Sequence, residues 1–171
     1  MKKGFTLIEL LVVVLIIGIL SAVALPKYQV SVVKTRTATM LALLKNLAEA
    51  QEVYYIENGQ YALHISDLAV QLPANCTRVS YSSYDAQGEL YKCDDFFIVD
   101  NATNAKSVNV NYCPNKNTQW PTCSSSRDLQ IAFRLKHNTW SGQSNKRYCV
   151  SYSALGRKIC SAFGDLEHRV G

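Results

Sequence analysis

Hydrophobic and polar positions fall into three regimes along the chain. Residues 5–25 are a run of Leu, Ile, Val, Ala and Phe that only Thr6, Glu9, Gly18 and Ser21 interrupt. Wound as an α-helix, that stretch would be about 31 Å long, the thickness of a bilayer's hydrocarbon layer, so it predicts a membrane-spanning helix that is apolar on all sides. Pro26 follows; it lacks an amide hydrogen and would ordinarily end or kink a helix. Beyond it the pattern changes to apolar positions at steps of mainly three and four residues: Val33, Thr37, Met40, Leu44, Leu47, Ala48, Gln51 and Tyr55. Helix therefore resumes or continues as an amphipathic segment, with Lys45, Glu49 and Glu52 on its polar side and Asn58-Gly59 as its stop. Together the two regimes predict one long rod, its first half buried in lipid or other helices and its second half lying on a globular body.

After Gly59 the period shortens. The stretch QYALHISDLAVQLP predicts a short helix around residues 65–72 with Ser66 as its cap. VSYSSYDAQGELYKC, DDFFIVD, KSVNVNYC, LQIAFRLKH and RYCVSYS then carry strand patterns, separated by the polar, turn-rich NATNAK, PNKNTQWPTCSSS and NTWSGQSNK. The economical assembly is α+β: a long N-terminal helix whose upper half packs on an antiparallel sheet of four or five strands.

Charge and cysteine orient this picture. Lys2 and Lys3 precede the apolar run, which favours a cytoplasmic N-terminus, although Lys27, Lys34 and Arg36 after it dilute the bias. Cys76, Cys93, Cys113, Cys123, Cys149 and Cys160 all follow the span, and an even number confined to one side fits an oxidising compartment. No CxxC knuckle suggests zinc instead, and the pairing among six cysteines is open. The net charge of +5 is too small to imply a nucleic-acid partner. Its distribution is uneven: residues 56–126 hold four basic and seven acidic side chains, residues 127–171 eight basic and three acidic. Such asymmetry suits head-to-tail contact between copies or a basic outer surface. Ser21-Ala22-Val23-Ala24 could imitate a signal-peptide cleavage site, but the apolar run is too long and passes straight into a second helix.

The ordered string Gly4-Phe5-Thr6-Leu7-Ile8-Glu9, between a two-lysine leader and the apolar run, resembles the N-terminal signature of type IV pilins and their pseudopilin relatives. The resemblance runs through Pro26 to the YYIENGQY stretch, and is most like a type IV major pilin. It implies that a prepilin peptidase cuts between Gly4 and Phe5, that the new N-terminal Phe5 is N-methylated, and that Glu9 serves assembly. It also divides the chain into a leader (1–4), a membrane or filament-core helix (5–25), an amphipathic helix (26–57) and a β-rich, disulfide-bearing head (58–171). Subunits of that family wait in the bacterial inner membrane as single-pass proteins. An assembly platform, with minor pilins, then builds them into a helical homopolymer at the cell surface. The segment YCVSYSALGRKICSAFG looks like the paired-cysteine C-terminal loop of many pilins, implying a Cys149–Cys160 bridge. Cys76 with Cys93 and Cys113 with Cys123 are pairings suggested by proximity alone.

The resulting expectation is a structural subunit of a pilus serving adhesion, twitching motility or DNA uptake, the rival being the major pseudopilin of a type II secretion system. A carboxylate in hydrocarbon needs a partner, and the amine of a mature Phe5, one helical turn before Glu9 or on a neighbouring copy, could provide it. His64, His137 and His168 are dispersed, with no nucleophile in a recognised context, so no enzyme activity, cofactor or metal is expected. Asp94, Asp95 and Asp100 do not fit an oxygen-ligand calcium loop. Basic residues from Arg127 to Arg169 lie among Trp140, Tyr148 and Tyr152, which reads as strand packing before it reads as a nucleic-acid face.

Overall fold

The structure, a computed structural model, describes residues 6–81, 88–115, 117–120, 122–138 and 142–171. One helix, α1 (Leu7–Asn58), runs unbroken through Pro26 for 52 residues. Its end is fixed by Gly59, which takes the left-handed conformation (φ 72°) and donates its N–H to the Tyr55 carbonyl at 2.8 Å. Val33, Thr37, Met40, Leu44, Leu47 and Gln51 are its buried residues. Ala48 and Tyr55, from the same predicted stripe, are half-buried.

Against that stripe lies one sheet of seven strands in sequence order: β1 (Cys76–Arg78), β2 (Glu89–Cys93), β3 (Phe96–Asn101), β4 (Ser107–Tyr112), β5 (Leu129–Arg134), β6 (Arg147–Ser151) and β7 (Glu167–Val170). Neighbours pair antiparallel until β6 and β7, which run parallel in the register Tyr148↔Glu167 to Ser151↔Val170. A parallel pair needs a crossover, and the chain makes it with α3 (Ala154–Cys160). Ser153 caps this helix by accepting from the Gly156 N–H at 3.0 Å. Gly156 sits where a Cβ would come within 2.1 Å of the Asp128 carbonyl oxygen, so only glycine lets α3 lie this close to the start of β5. A five-residue helix, α2 (Thr122–Ser126), stands between β4 and β5.

Alternation along the strands builds two cores. Phe96, Ile98, Val108, Val110, Leu129, Ile131 and Phe133 face α1 in the main one. On the opposite face of β2 and β3, Leu90, Phe97 and Val99 pack with Trp120, Cys113 and Cys123. Disulfides join Cys76 to Cys93, Cys113 to Cys123, and Cys149 to Cys160. The first couples opposed positions of β1 and β2, and the third ties the end of α3 to β6.

The structure corrects the predicted helix around residues 65–72. Only a 3₁₀ turn, Ile65–Asp67, forms, with His64 rather than Ser66 in the cap position and no side-chain cap. Its backbone is claimed instead by a buried carboxylate: Glu89 accepts from the Ile65 N–H at 2.7 Å and faces His64 Nδ1, Arg78 Nε and the Tyr91 hydroxyl at 3.1–3.2 Å. The sheet likewise has seven strands where four or five were expected, and its last pair is parallel.

A second polar tie fastens the rod to the head. Gln51, fully buried on α1, mimics a peptide group: its Oε1 accepts from the Ala62 N–H (2.9 Å) while its Nε2 donates to the Ala62 carbonyl (3.2 Å) and to Asp100 Oδ2 (2.8 Å). Asp100 Oδ1 accepts from the Ala102 N–H at 3.1 Å. Burial raises the Asp100 carboxyl to about 7 despite these two donors, and the neighbouring Glu89 charge pushes the same way.

Candidate functional site

The first turn of α1 is built by Thr6 and Glu9. Thr6 has extended backbone (φ −82°, ψ 153°) and its hydroxyl oxygen accepts from the Glu9 N–H at 3.4 Å. Glu9 reaches back, its Oε2 accepting from the Thr6 N–H at 2.8 Å and from the Thr6 hydroxyl at 2.6 Å. This reciprocal capping box satisfies donors that a helix start leaves open and places a negative charge at the positive end of the helix dipole. Gly4 and Phe5 lie outside the described residues, so the partner that Glu9 shows is Thr6. Sequence reasoning passed over Thr6, although Thr-x-x-Glu before an apolar run is itself a helix-start signature.

Beyond that turn the helix is bare. Every residue from 6 to 29 is exposed, among them Leu7 at 82%, Ile8 at 70% and Leu20 at 64%. The head begins to cover α1 at Val30, which is half-buried, and Val33 is the first fully buried residue of the helix. The segment is long and apolar enough to cross a membrane, and a soluble protein does not leave so large an apolar surface uncovered. Chemically it can do one thing in two settings: bury itself in hydrocarbon, or among other apolar helices.

The remaining side chains marked by the sequence do not converge. Asp94 accepts from Asn75 Nδ2 at 2.9 Å, Asp95 pairs with Arg36 at 3.0 Å and Asp100 belongs to the Gln51 tie. His64 faces Glu89, His137 stacks on Tyr55 with ring centroids 3.8 Å apart, and His168 Nε2 lies 3.1 Å from the Ser151 hydroxyl. Among the described residues no group of three or more His, Cys, Asp or Glu could hold a metal ion. Several of the late arginines are engaged with rings of the head: Arg169 and Arg134 lie 4.3 and 5.7 Å from the Tyr148 ring, and Arg127 lies 4.4 Å from that of Tyr152. Trp140 is outside the described residues.

Comparison with known proteins agrees with this geometry. Residues 1–25 match the family model described as the prokaryotic N-terminal methylation motif. A type IV major pilin protein, PilE1, of Neisseria gonorrhoeae is 35% identical over 81 residues, 47% of this chain and 49% of that protein. A fimbrial protein of Neisseria meningitidis serogroup B is 41% identical over 61 residues, 36% of each chain. The chain thus spans about half or less of the length of these relatives. No solved structure matches it. The type IV wide pilus major component PilA4 of Thermus thermophilus is matched more fully, at 34% identity over 90 residues that make up 52% of this chain and 69% of the relative. With a bare apolar rod, a methylation motif at its start and a pilus component covered over two thirds of its length, the chain belongs to the type IV pilin family.

Proposed function

We propose that this chain is the structural subunit of a type IV pilus, made as a membrane-anchored precursor and polymerised through its N-terminal helix. The observation that carries the reading is the rod itself: residues 6–29 are exposed on every side, while the stripe from Val33 to Gln51 is buried against the head. A helix of that kind has two stable environments, and a filament subunit needs both in turn. In the inner membrane, hydrocarbon covers residues 7–25 and the head stands on the far side with its three disulfides. In the filament, the same residues of neighbouring copies cover one another.

In this scheme a prepilin peptidase cuts between Gly4 and Phe5, leaving a subunit that begins with a methylated amine on Phe5. The chain then divides as leader 1–4, core helix 5–25, amphipathic helix 26–57 and head 58–171. Glu9 holds the helix start through Thr6 before assembly and is available to the Phe5 amine of its own or a neighbouring copy during it. The role is structural and not enzymatic, with the assembly platform and minor pilins as partners.

Mass spectrometry of the subunit recovered from sheared surface filaments tests the reading. The expected species lacks MKKG and carries one methyl group on Phe5. An intact N-terminus, a cut after Ala24, or filaments that do not contain this chain would overturn it.

A further inference from the structure

The end of the head nearest the bare helix is basic. Between Glu9 and Glu49, α1 carries Lys27, Lys34, Arg36 and Lys45 and no acidic residue. The segment from Tyr152 to Gly164, which contains α3, adds Arg157 and Lys158 and again no acid. Arg36 is held at 3.0 Å by the buried Asp95 carboxylate. Lys27, Lys34, Arg157 and Lys158 are exposed, and among the described residues none of them faces a carboxylate. At this end a pocket of about 540 Å³ lies between α1 and α3. Pro26, Val33, Pro114 and Leu155 give it apolar walls, while Tyr28, Gln29 and Lys158 bring polar atoms to it.

We infer that this pocket seats an anionic phospholipid of the bilayer in which the chain is anchored, with Lys158 and Gln29 on its phosphate and the apolar walls against its glycerol and first acyl carbons. The inference rests on the membrane-anchored stage of the reading above and deepens it by naming what the base of the head touches before assembly.

Depth sets the pocket among headgroups. With residues 5–25 in hydrocarbon, the polar layer on each face of a bilayer adds about 5–7 Å, or about four helical residues. Pro26, Lys27, Tyr28 and Gln29 therefore stand level with phosphate and glycerol, and three of these four line the pocket. Tyrosine and lysine are side chains that settle at this depth, the lysine with its stem along apolar surface and its ammonium in water. The apolar surface of the rod is interrupted here by Lys27 and Gln29, so the guest that fits is apolar along one part and polar at one end.

Charge selects among such guests. Basic residues close to a span ordinarily mark its cytoplasmic side, yet this cluster stands on the side of the head, where anionic headgroups give it a partner. The one carboxylate lining the pocket, Asp95, is already paired with Arg36, so Lys158 is left to a phosphate. Its place is fixed, because Gly156 lets α3 lie tight on Asp128 and the Cys149–Cys160 bridge ties the helix end to β6.

Photo-crosslinking in vesicles tests the seat. The full chain with p-benzoylphenylalanine in place of Ala154, an exposed pocket residue, is reconstituted in vesicles of equimolar phosphatidylglycerol and phosphatidylcholine with the same acyl chains. Irradiation should attach lipid at position 154, with phosphatidylglycerol in about fivefold or greater excess by mass spectrometry, the bias that one lysine exerts toward anionic lipid. Lys158→Gln should bring the two adducts to near equality. Lys27→Gln should leave the excess in place, because Lys27 stands about 200° round the helix from Gln29 and so off the pocket. From the unsubstituted chain, extracted from the same vesicles in mild detergent, native mass spectrometry should find phosphatidylglycerol retained ahead of phosphatidylcholine. Equal or absent lipid adducts, an excess that falls as far with Lys27→Gln as with Lys158→Gln, or crosslinks from 154 to a second copy alone would overturn the seat while leaving the anchored precursor intact. A chain that does not float with the vesicles would overturn the anchored reading and the seat with it.

Discussion

Replacing Gln51 with leucine removes the amide that links the rod, the segment after Gly59 and the sheet, and the structure sets the size of the loss. Leucine matches the volume but leaves three buried groups without their partner: the Ala62 N–H, the Ala62 carbonyl and Asp100 Oδ2. At about 1–2 kcal/mol for each stranded group, less about 1 kcal/mol regained from apolar burial, the net loss is about 2–5 kcal/mol. The loss also has a pH signature. Asp100 titrates near 7 in the folded chain against an ordinary value of 3.8, so the folded state holds a proton that the unfolded state has released between those values. Stability from this group is therefore fully present below pH 4 and is lost as pH rises through 7, by about 2–3 kcal/mol between pH 5 and 7. The Gln51 N–H holds the Asp100 value down; without it the carboxyl rises further, and the variant keeps losing stability above pH 7. Urea unfolding of the intact chain in detergent micelles, followed by near-UV circular dichroism at pH 6 and 8, should show a gap between wild type and Gln51→Leu that widens with pH. A loss under about 1 kcal/mol, or one that is the same at both pH values, would refute the reasoning.

Two further substitutions probe other links. Glu9→Ala removes the acceptor of the capping box and the carboxylate available for assembly; the protein should stay in the membrane fraction while sheared filament yield falls tenfold or more, and wild-type yield would remove Glu9 from assembly. Gly156→Ala gains helix propensity but drives a Cβ into the Asp128 carbonyl, so it should destabilise the head by about 2–3 kcal/mol in thermal unfolding; an unchanged or higher midpoint would show that α3 can move off β5.

The parts of this fold that were legible in the sequence are those with a strong period. The buried stripe from Val33 to Gln51 follows a helical repeat over five turns, and the Asn58-Gly59 stop has the one residue that tolerates φ 72° cheaply. Strands β3 to β6 are buried at most of their positions, and their short apolar or alternating runs register as strand. What stayed hidden lacks a period of its own. In β7 all four residues are exposed or half-buried, so Glu167 to Val170 has no apolar face to betray it; its strand is dictated by the edge of β6. The helix α3 is seven residues long with a glycine inside it, too short for a repeat, and it exists because a parallel pair demands a crossover. At 65–72, apolar spacing suggested helix, but Glu89, distant in sequence, takes the Ile65 N–H and leaves only a 3₁₀ turn. In the candidate site, residues 7–25 were plain because composition alone defines them, whereas the Thr6 contribution lay in a four-residue signature easily lost beside so long an apolar run.

The arrangement of covalent bonds bears on how such a rod would carry force. No cysteine precedes Cys76, so all three disulfides lie within the head and none reaches α1. Helix and head are joined covalently at one point, Gly59, and otherwise grip through the buried stripe, the Gln51 tie and contacts such as Arg36 with Asp95 and Tyr55 with His137. Tension applied along a row of rods would shear that grip along its length, as a clutch slips, before it peeled the ladder of the sheet. The cystines stand outside the load path, where they keep each head in shape while the rods take the strain.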